Sequence, residues 1–140
     1  MKKLQSRRKI LTPRRTVLLL SFLIPIVIML LAWGILQFWP VGERSPLTID
    51  LYHQYVSFLS EMRRKIMNFE SLFYSWRIGL GTNFFALLAY YAASPLNLLL
   101  PLFPMQHITE AVAFLTVTKL GFAAWSFAYM LMNSIGKEGL

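Results

Sequence analysis

Cysteine is absent from the 140 residues, which excludes disulfides, thiolate metal sites and a cysteine nucleophile. Charge is scarce: 14% of the residues are Asp, Glu, Lys or Arg, where a soluble domain carries about 25%. Acids are missing altogether from the first fifteen residues, which hold Lys2, Lys3, Arg7, Arg8, Lys9, Arg14 and Arg15. There is no Ser-His-Asp arrangement, no His-Glu-x-x-His and no P-loop. Gly79 and Gly81 do not make a dinucleotide fingerprint, because no strand precedes them and position 84 is Phe. No internal repeat or low-complexity tract is visible.

What is present is apolar. Hydrophobic residues make up 56% of the chain, and the mean hydropathy is +0.53. This composition with long uncharged runs predicts an all-α integral membrane protein whose first partner is the lipid bilayer. Residues 17–39 are 23 positions without a charge, roughly 35 Å of helix against a hydrocarbon core of about 30 Å. The run is longer than a signal-peptide core and ends in Gln37-Phe-Trp-Pro40 without a small-x-small site, so an uncleaved span is expected. The basic arm 1–16 has the charge to bind nucleic acid. Lying directly against an apolar span, it instead sets orientation and keeps the amino terminus cytoplasmic. Trp33, Phe38 and Trp39 then approach the outer interface.

Residues 40–82 form an outer loop with nearly balanced charge. Within it, 51–68 reads as an amphipathic helix. Leu51, Tyr55, Leu59, Met62 and Ile66 recur at steps of three and four, with His53, Ser57, Glu61, Arg64 and Asn68 opposite. No other polar segment is available to cover it, so it is expected to lie at the membrane surface. Phe69, Phe73, Tyr74 and Trp76 form an aromatic cluster, and Gly79-Leu-Gly81 predicts a tight turn. The apolar segment 83–103 is broken by Ser94-Pro95 and Pro101. It reads either as a Pro-kinked third span or as two short helices that dip in and return. A second spanning helix is expected over 108–132, with a short tail at 133–140. Lys119, near its middle, should face protein or a polar cavity, and Gly121, Ala123, Ala124 and Ser126 allow close helix contact.

Asp50 is the leading candidate for chemistry. It immediately precedes an amphipathic helix, where Asp is a favoured N-cap, and a cap also holds a carboxylate rigidly at a membrane edge. The Arg63-Arg64-Lys65 run either complements the helix dipole or meets phosphate. His53 stands three residues after Asp50, and His107 three before Glu110. Each such pair lacks the further ligands a metal site needs, so no metal residues are assigned.

Several stretches resemble the amino-terminal region of the YfhO-type bacterial membrane proteins, which are similar to GT-C glycosyltransferases. They are Asp50–Phe58 (DLYHQYVSF), Ser71–Phe84 (SLFYSWRIGLGTNF) and Tyr90–Leu99 (YYAASPLNLL), with Ile108-Thr-Glu-Ala111 and Lys119-Leu-Gly121 in the same order. The resemblance implies transfer of a sugar from a polyprenyl-phosphate carrier to a cell-envelope polymer of the teichoic-acid type, on the outer face of the bacterial plasma membrane. It places an acid near the acceptor at Asp50, to take a proton from the attacking hydroxyl or to hold a divalent cation. His53, Arg63, Arg64, Arg77, Glu110 and Lys119 are then the residues expected at substrate. Arg77 departs from the neutral polar residue expected after Trp76. Family members are much longer, so the chain resembles an amino-terminal fragment and is expected to be inactive alone. The alternative readings are a permease or transporter subunit, for which the intramembrane Lys119 speaks, and a helper protein docking through Gly121–Ser126.

Overall fold

The computed structural model describes residues 13–135. Lys2 to Lys9 of the basic arm and the tail from Gly136 lie outside the described residues. Two helices are long and apolar enough to cross a membrane: α1 (Pro13–Ile35) and α4 (Ile108–Ile135). Between them in the chain lie α2 (Val56–Met67), a two-stranded hairpin of β1 (Tyr74–Ser75) and β2 (Thr82–Asn83), and the short α3 (Phe84–Leu87).

The first span begins four residues earlier than the uncharged run and stops at Ile35. Past that point Gln37 turns the chain at φ 57°, and the amide of Phe38 returns to the carbonyl of Trp33 at 2.8 Å. Trp33 is buried, whereas Phe38 is half-buried and Trp39 exposed.

α1 and α4 pack against each other as an antiparallel pair. At one end Arg14 hydrogen-bonds Asn133 and its guanidinium lies 5.7 Å from the Tyr129 ring centre. In the middle the helices close on Gly121, where a Cβ would come within 2.7 Å of Ile26 and 2.9 Å of Phe22. Small residues permit this approach where no hydrophobic effect drives helices together in lipid. The hydroxyls of Thr116, Thr118 and Ser126 donate to carbonyls one turn back, at 2.7–2.8 Å, so they present no unsatisfied donor to hydrocarbon. Only 6% of the α1 span is buried against protein, compared with 33% of the α4 span. The rest of α1 is left for lipid.

The far end of this pair carries a packed layer. A π-helical turn (Leu51–Tyr55) runs into α2. Leu59 and Met62 of α2 join Phe84, Ala92, Leu100 and the first turns of α4 (Ile108, Ala111, Val112, Leu115) in the core. The expectation that nothing covers α2 is therefore corrected: the hairpin and the apolar segment after it fold back over its flank. The hairpin pairs Tyr74 with Asn83 and Ser75 with Thr82. Its loop needs Gly79 at φ 61° and Gly81 at φ 106°, and a Cβ on Gly81 would overlap the Tyr74 hydroxyl at 2.2 Å.

Asn83 caps α3, its side chain accepting from the Ala86 amide at 3.2 Å. α3 continues as a π-helical turn to Ala92, breaks at Ser94, and resumes as a 3-10 helix over Pro95–Leu102 bent by 104°. Proline at 95 and the non-helical residue before it account for the break. The two pieces are about 13 Å and 16 Å long from their rises per residue. Bent so sharply, they fall well short of a hydrocarbon core of about 30 Å. Of the two forms expected for 83–103, this geometry favours the pair that dips in and returns.

Candidate functional site

The layer beyond the α1–α4 pair is organised by charge. Glu61 is buried. Its carboxylate accepts from Arg64 Nε and an Arg64 terminal nitrogen, both at 2.8 Å, and from Ser75 Oγ at 2.6 Å. Arg64 also pairs with Glu70, one of those bonds being 2.7 Å. Lys65 is buried beside them; its ammonium donates to the carbonyls of Ser71 at 2.9 Å and Tyr74 at 2.7 Å and lies 5.7 Å from the Phe84 ring centre. Buried charges need this many partners. The network clips the hairpin onto α2.

The hydrogen bonds from Arg64 hold the Glu61 carboxyl below its ordinary range, against the opposing effect of burial. The same guanidinium lowers Glu70 to about 2, and the two carboxylates together raise Arg64.

Asp50 is exposed, on the turn that leads into α2. It does not cap the helix. Its backbone is already helical (φ −62°, ψ −35°) and its side chain makes no capping bond. The turn starts one residue earlier, at Ile49 with φ 48°, whose carbonyl accepts from the His53 amide at 2.9 Å. That puts Asp50 inside the first turn, where a carboxylate complements the helix dipole. Its only side-chain hydrogen bond among the described residues is from Gln54, at 3.4 Å. Asp50 and Glu43 are the two described carboxylates outside any ion pair.

His53 is exposed one turn on, with its ring edge-on to Tyr52 at 5.4 Å. Arg63 is tied inward, donating from Nε to the Phe103 carbonyl at 2.8 Å. Arg64 is the hub of the buried network. Arg77 is exposed beside Trp76 in the hairpin loop. Glu110 lies near His107, at 3.8 Å, and its Oε2 is buried without a hydrogen-bond partner. Lys119 reaches from the middle of α4 to the buried Asn97 at 2.8 Å. Asn97 in turn donates to the Ala92 carbonyl at 2.9 Å, which locks the bend between the two short helices. The structure therefore gathers Asp50 and His53 on one turn, and places Arg77 in the hairpin loop and Glu110 and Lys119 on α4. Among the described residues no three His, Asp or Glu side chains cluster as a metal site would need.

The profile of the family described as "Bacterial membrane protein YfhO" matches residues 21–138. The chain belongs to the YfhO family of bacterial membrane proteins. No curated protein and no solved structure matches the sequence. The YfhO match runs through α1, the charged layer, the bent pair and α4. Within this YfhO chain, Glu61, Glu70, Ser75 and Asn97 were not given a role from sequence, although with Lys65 they hold the layer and the bend. One signal was available for Asn97: it is a lone amide in the apolar run 95–104, and a lone polar group in such a run needs a buried partner.

Proposed function

We propose that this YfhO-family chain serves the acceptor side of a glycosyl transfer at the outer face of the bacterial membrane, with Asp50 as the base. The sugar comes from a polyprenyl-phosphate carrier and goes to a hydroxyl of an envelope polymer of the teichoic-acid type. The basic arm preceding α1 keeps the amino terminus cytoplasmic, which turns the α2 layer outward. In the reaction, the acceptor hydroxyl oxygen bonds to the anomeric carbon of the sugar. The bond from that carbon to the carrier phosphate breaks, and the phosphate leaves with the electron pair. Asp50 takes the hydroxyl proton. Arg77, exposed in the hairpin loop, is the guanidinium available to meet phosphate oxygens.

One observation carries this reading: Asp50 is exposed, makes no capping bond and stands outside any ion pair. The other carboxylates of the α2 layer, Glu61 and Glu70, are committed to Arg64. The Lys119 ammonium, the feature that speaks for a transporter, donates to Asn97.

The test is Asp50→Asn and Asp50→Glu, expressed in a bacterium lacking its own copy of the protein, with sugar on the envelope polymer as readout. Asn should abolish transfer while thermal stability changes by less than about 0.5 kcal/mol, as for a surface residue without a capping bond. Full glycosylation by the Asn variant would remove Asp50 from the chemistry.

A further inference from the structure

Above Gly121 the α1–α4 pair opens into an apolar groove of about 380 Å³, walled by Phe22, Ile26 and Trp33 of α1 and by Phe114, Val117 and Thr118 of α4. It is floored where Gly121 meets Phe22 and Ile26. At its other end stands Trp39, which also lines a second, polar pocket of about 140 Å³ with Glu43, Ser45, Thr109 and Glu110. Phe114 follows Glu110 by four, and Val117 and Thr118 follow Phe114 by three and four, so one face of α4 runs through both chambers. From Glu110 to Thr118 is about 12 Å along the axis. The groove lies between two helices apolar enough to span a membrane, and its lining is almost wholly apolar, which suits a hydrocarbon chain.

We infer that this crevice binds a neutral glycolipid, with one hydrocarbon chain in the groove and the sugar hydroxyls in the pocket at Glu110. The pocket decides the head group. Its lining residues include two carboxylates and no lysine or arginine, which repels the phosphodiester of an ordinary anionic phospholipid. A carboxylate is acceptor-only, and Glu110 Oε2 is buried without a donor. A sugar supplies several O–H donors and no anion. The inference involves none of the residues given roles at Asp50, so either can fail while the other stands.

The experiment is native mass spectrometry of the purified protein in detergent, with three probes of matched chains: glucosyl diacylglycerol, phosphatidylglycerol and diacylglycerol. One glucosyl diacylglycerol per chain should be retained about tenfold more tightly than phosphatidylglycerol, the difference expected for hydrogen bonds to a charged acceptor. Thr118→Phe, which fills the groove, should release it; Leu30→Trp does the same from the α1 wall, which Leu30 also lines, if the first variant is unstable. Glu110→Gln should erase the preference between the two head groups. Equal retention of phosphatidylglycerol by the wild type, retention unchanged by both filling variants, or a lipid-free dimer closing the groove would each overturn the inference.

Discussion

The α1–α4 pair and the α2 layer are held by opposite means. The pair makes close apolar contact at Gly121 and leaves most of α1 open to lipid. The layer has a small apolar core stitched by Glu61, Arg64, Lys65 and Ser75. In lipid there is little hydrophobic gain from helix contact, so shape decides. In the layer a short hairpin cannot hold itself, since an isolated two-stranded hairpin is marginal at best, and the charged network supplies what it lacks. A perturbation aimed at charge should strike one region, and one aimed at volume the other.

The largest expected effect follows from Glu61→Ala. It leaves the Arg64 and Lys65 cations without their buried counter-charge, at a cost of about 3 kcal/mol to the layer. Limited proteolysis between Asn68 and Asn83 should accelerate sharply, with the α1–α4 contact unchanged. Cleavage at the wild-type rate would mean that the network is ornamental.

Gly121→Leu is the converse. Its side chain meets Ile26 and Phe22, and overpacking of this kind costs about 1–3 kcal/mol. Distance measurements between labels on α1 and α4 should lengthen while the hairpin keeps its protease resistance. A shorter or unchanged distance would place the helix contact elsewhere.

Lys119→Met tests the joint between the regions. It strips Asn97 Oδ1 of its partner at a cost of about 1–2 kcal/mol. Adding Asn97→Leu should recover part of that loss in a double-mutant cycle read by thermal unfolding in detergent. Additive losses would show that the two side chains act independently.

The smallest effect, and the cleanest contrast, is with pH. Glu70 is lowered from 4.5 to about 2, and Glu61 is lowered as well. A depressed carboxyl contributes stability that is fully present above its unfolded value and is lost as pH falls through the folded one. The layer should therefore loosen as pH drops from about 4.5 toward 2, seen as hairpin proteolysis by an acid-active protease. The apolar α1–α4 contact at Gly121 should not respond. If both regions loosen together, the distinction drawn between them fails.

The membrane architecture was legible because hydrocarbon imposes a crude pattern: twenty or so residues without charge can hardly be anything else. α4 begins at Ile108 as expected. Lys119 was also legible as a residue facing protein, because lipid tolerates a mid-helix ammonium poorly. The layer was not. Glu61 and Arg64 fall on the polar arc of α2 and read as a solvated face. The burial of Glu61 depends on a hairpin up to 22 residues further on, and local periodicity carries no information about such a fold-back. The helix start at Asp50 was misread for a related reason. Asp before an amphipathic run signals a cap, but the positive φ of Ile49 moves the turn one residue upstream. The short pieces of 83–103 were ambiguous because runs below about 14 apolar residues suit several structures. The structure bends them by 104° at Ser94–Pro95, and Asn97 holds the bend.

The contact at Gly121 joins residues that are 95 or more positions apart. During synthesis at about 5–20 residues per second, α1 is made several seconds before α4. For that interval the faces of α1 that later meet α4 are bathed in acyl chains, and α1 must be stable as a lone span. Assembly of the pair is then an exchange of solvent, in which Phe22 and Ile26 give up lipid neighbours for Gly121 and Phe122. The order of manufacture thus asks more of α1 than the finished fold does. Its mean hydropathy of 2.7, against 1.4 for the span that follows a packed layer, matches that demand.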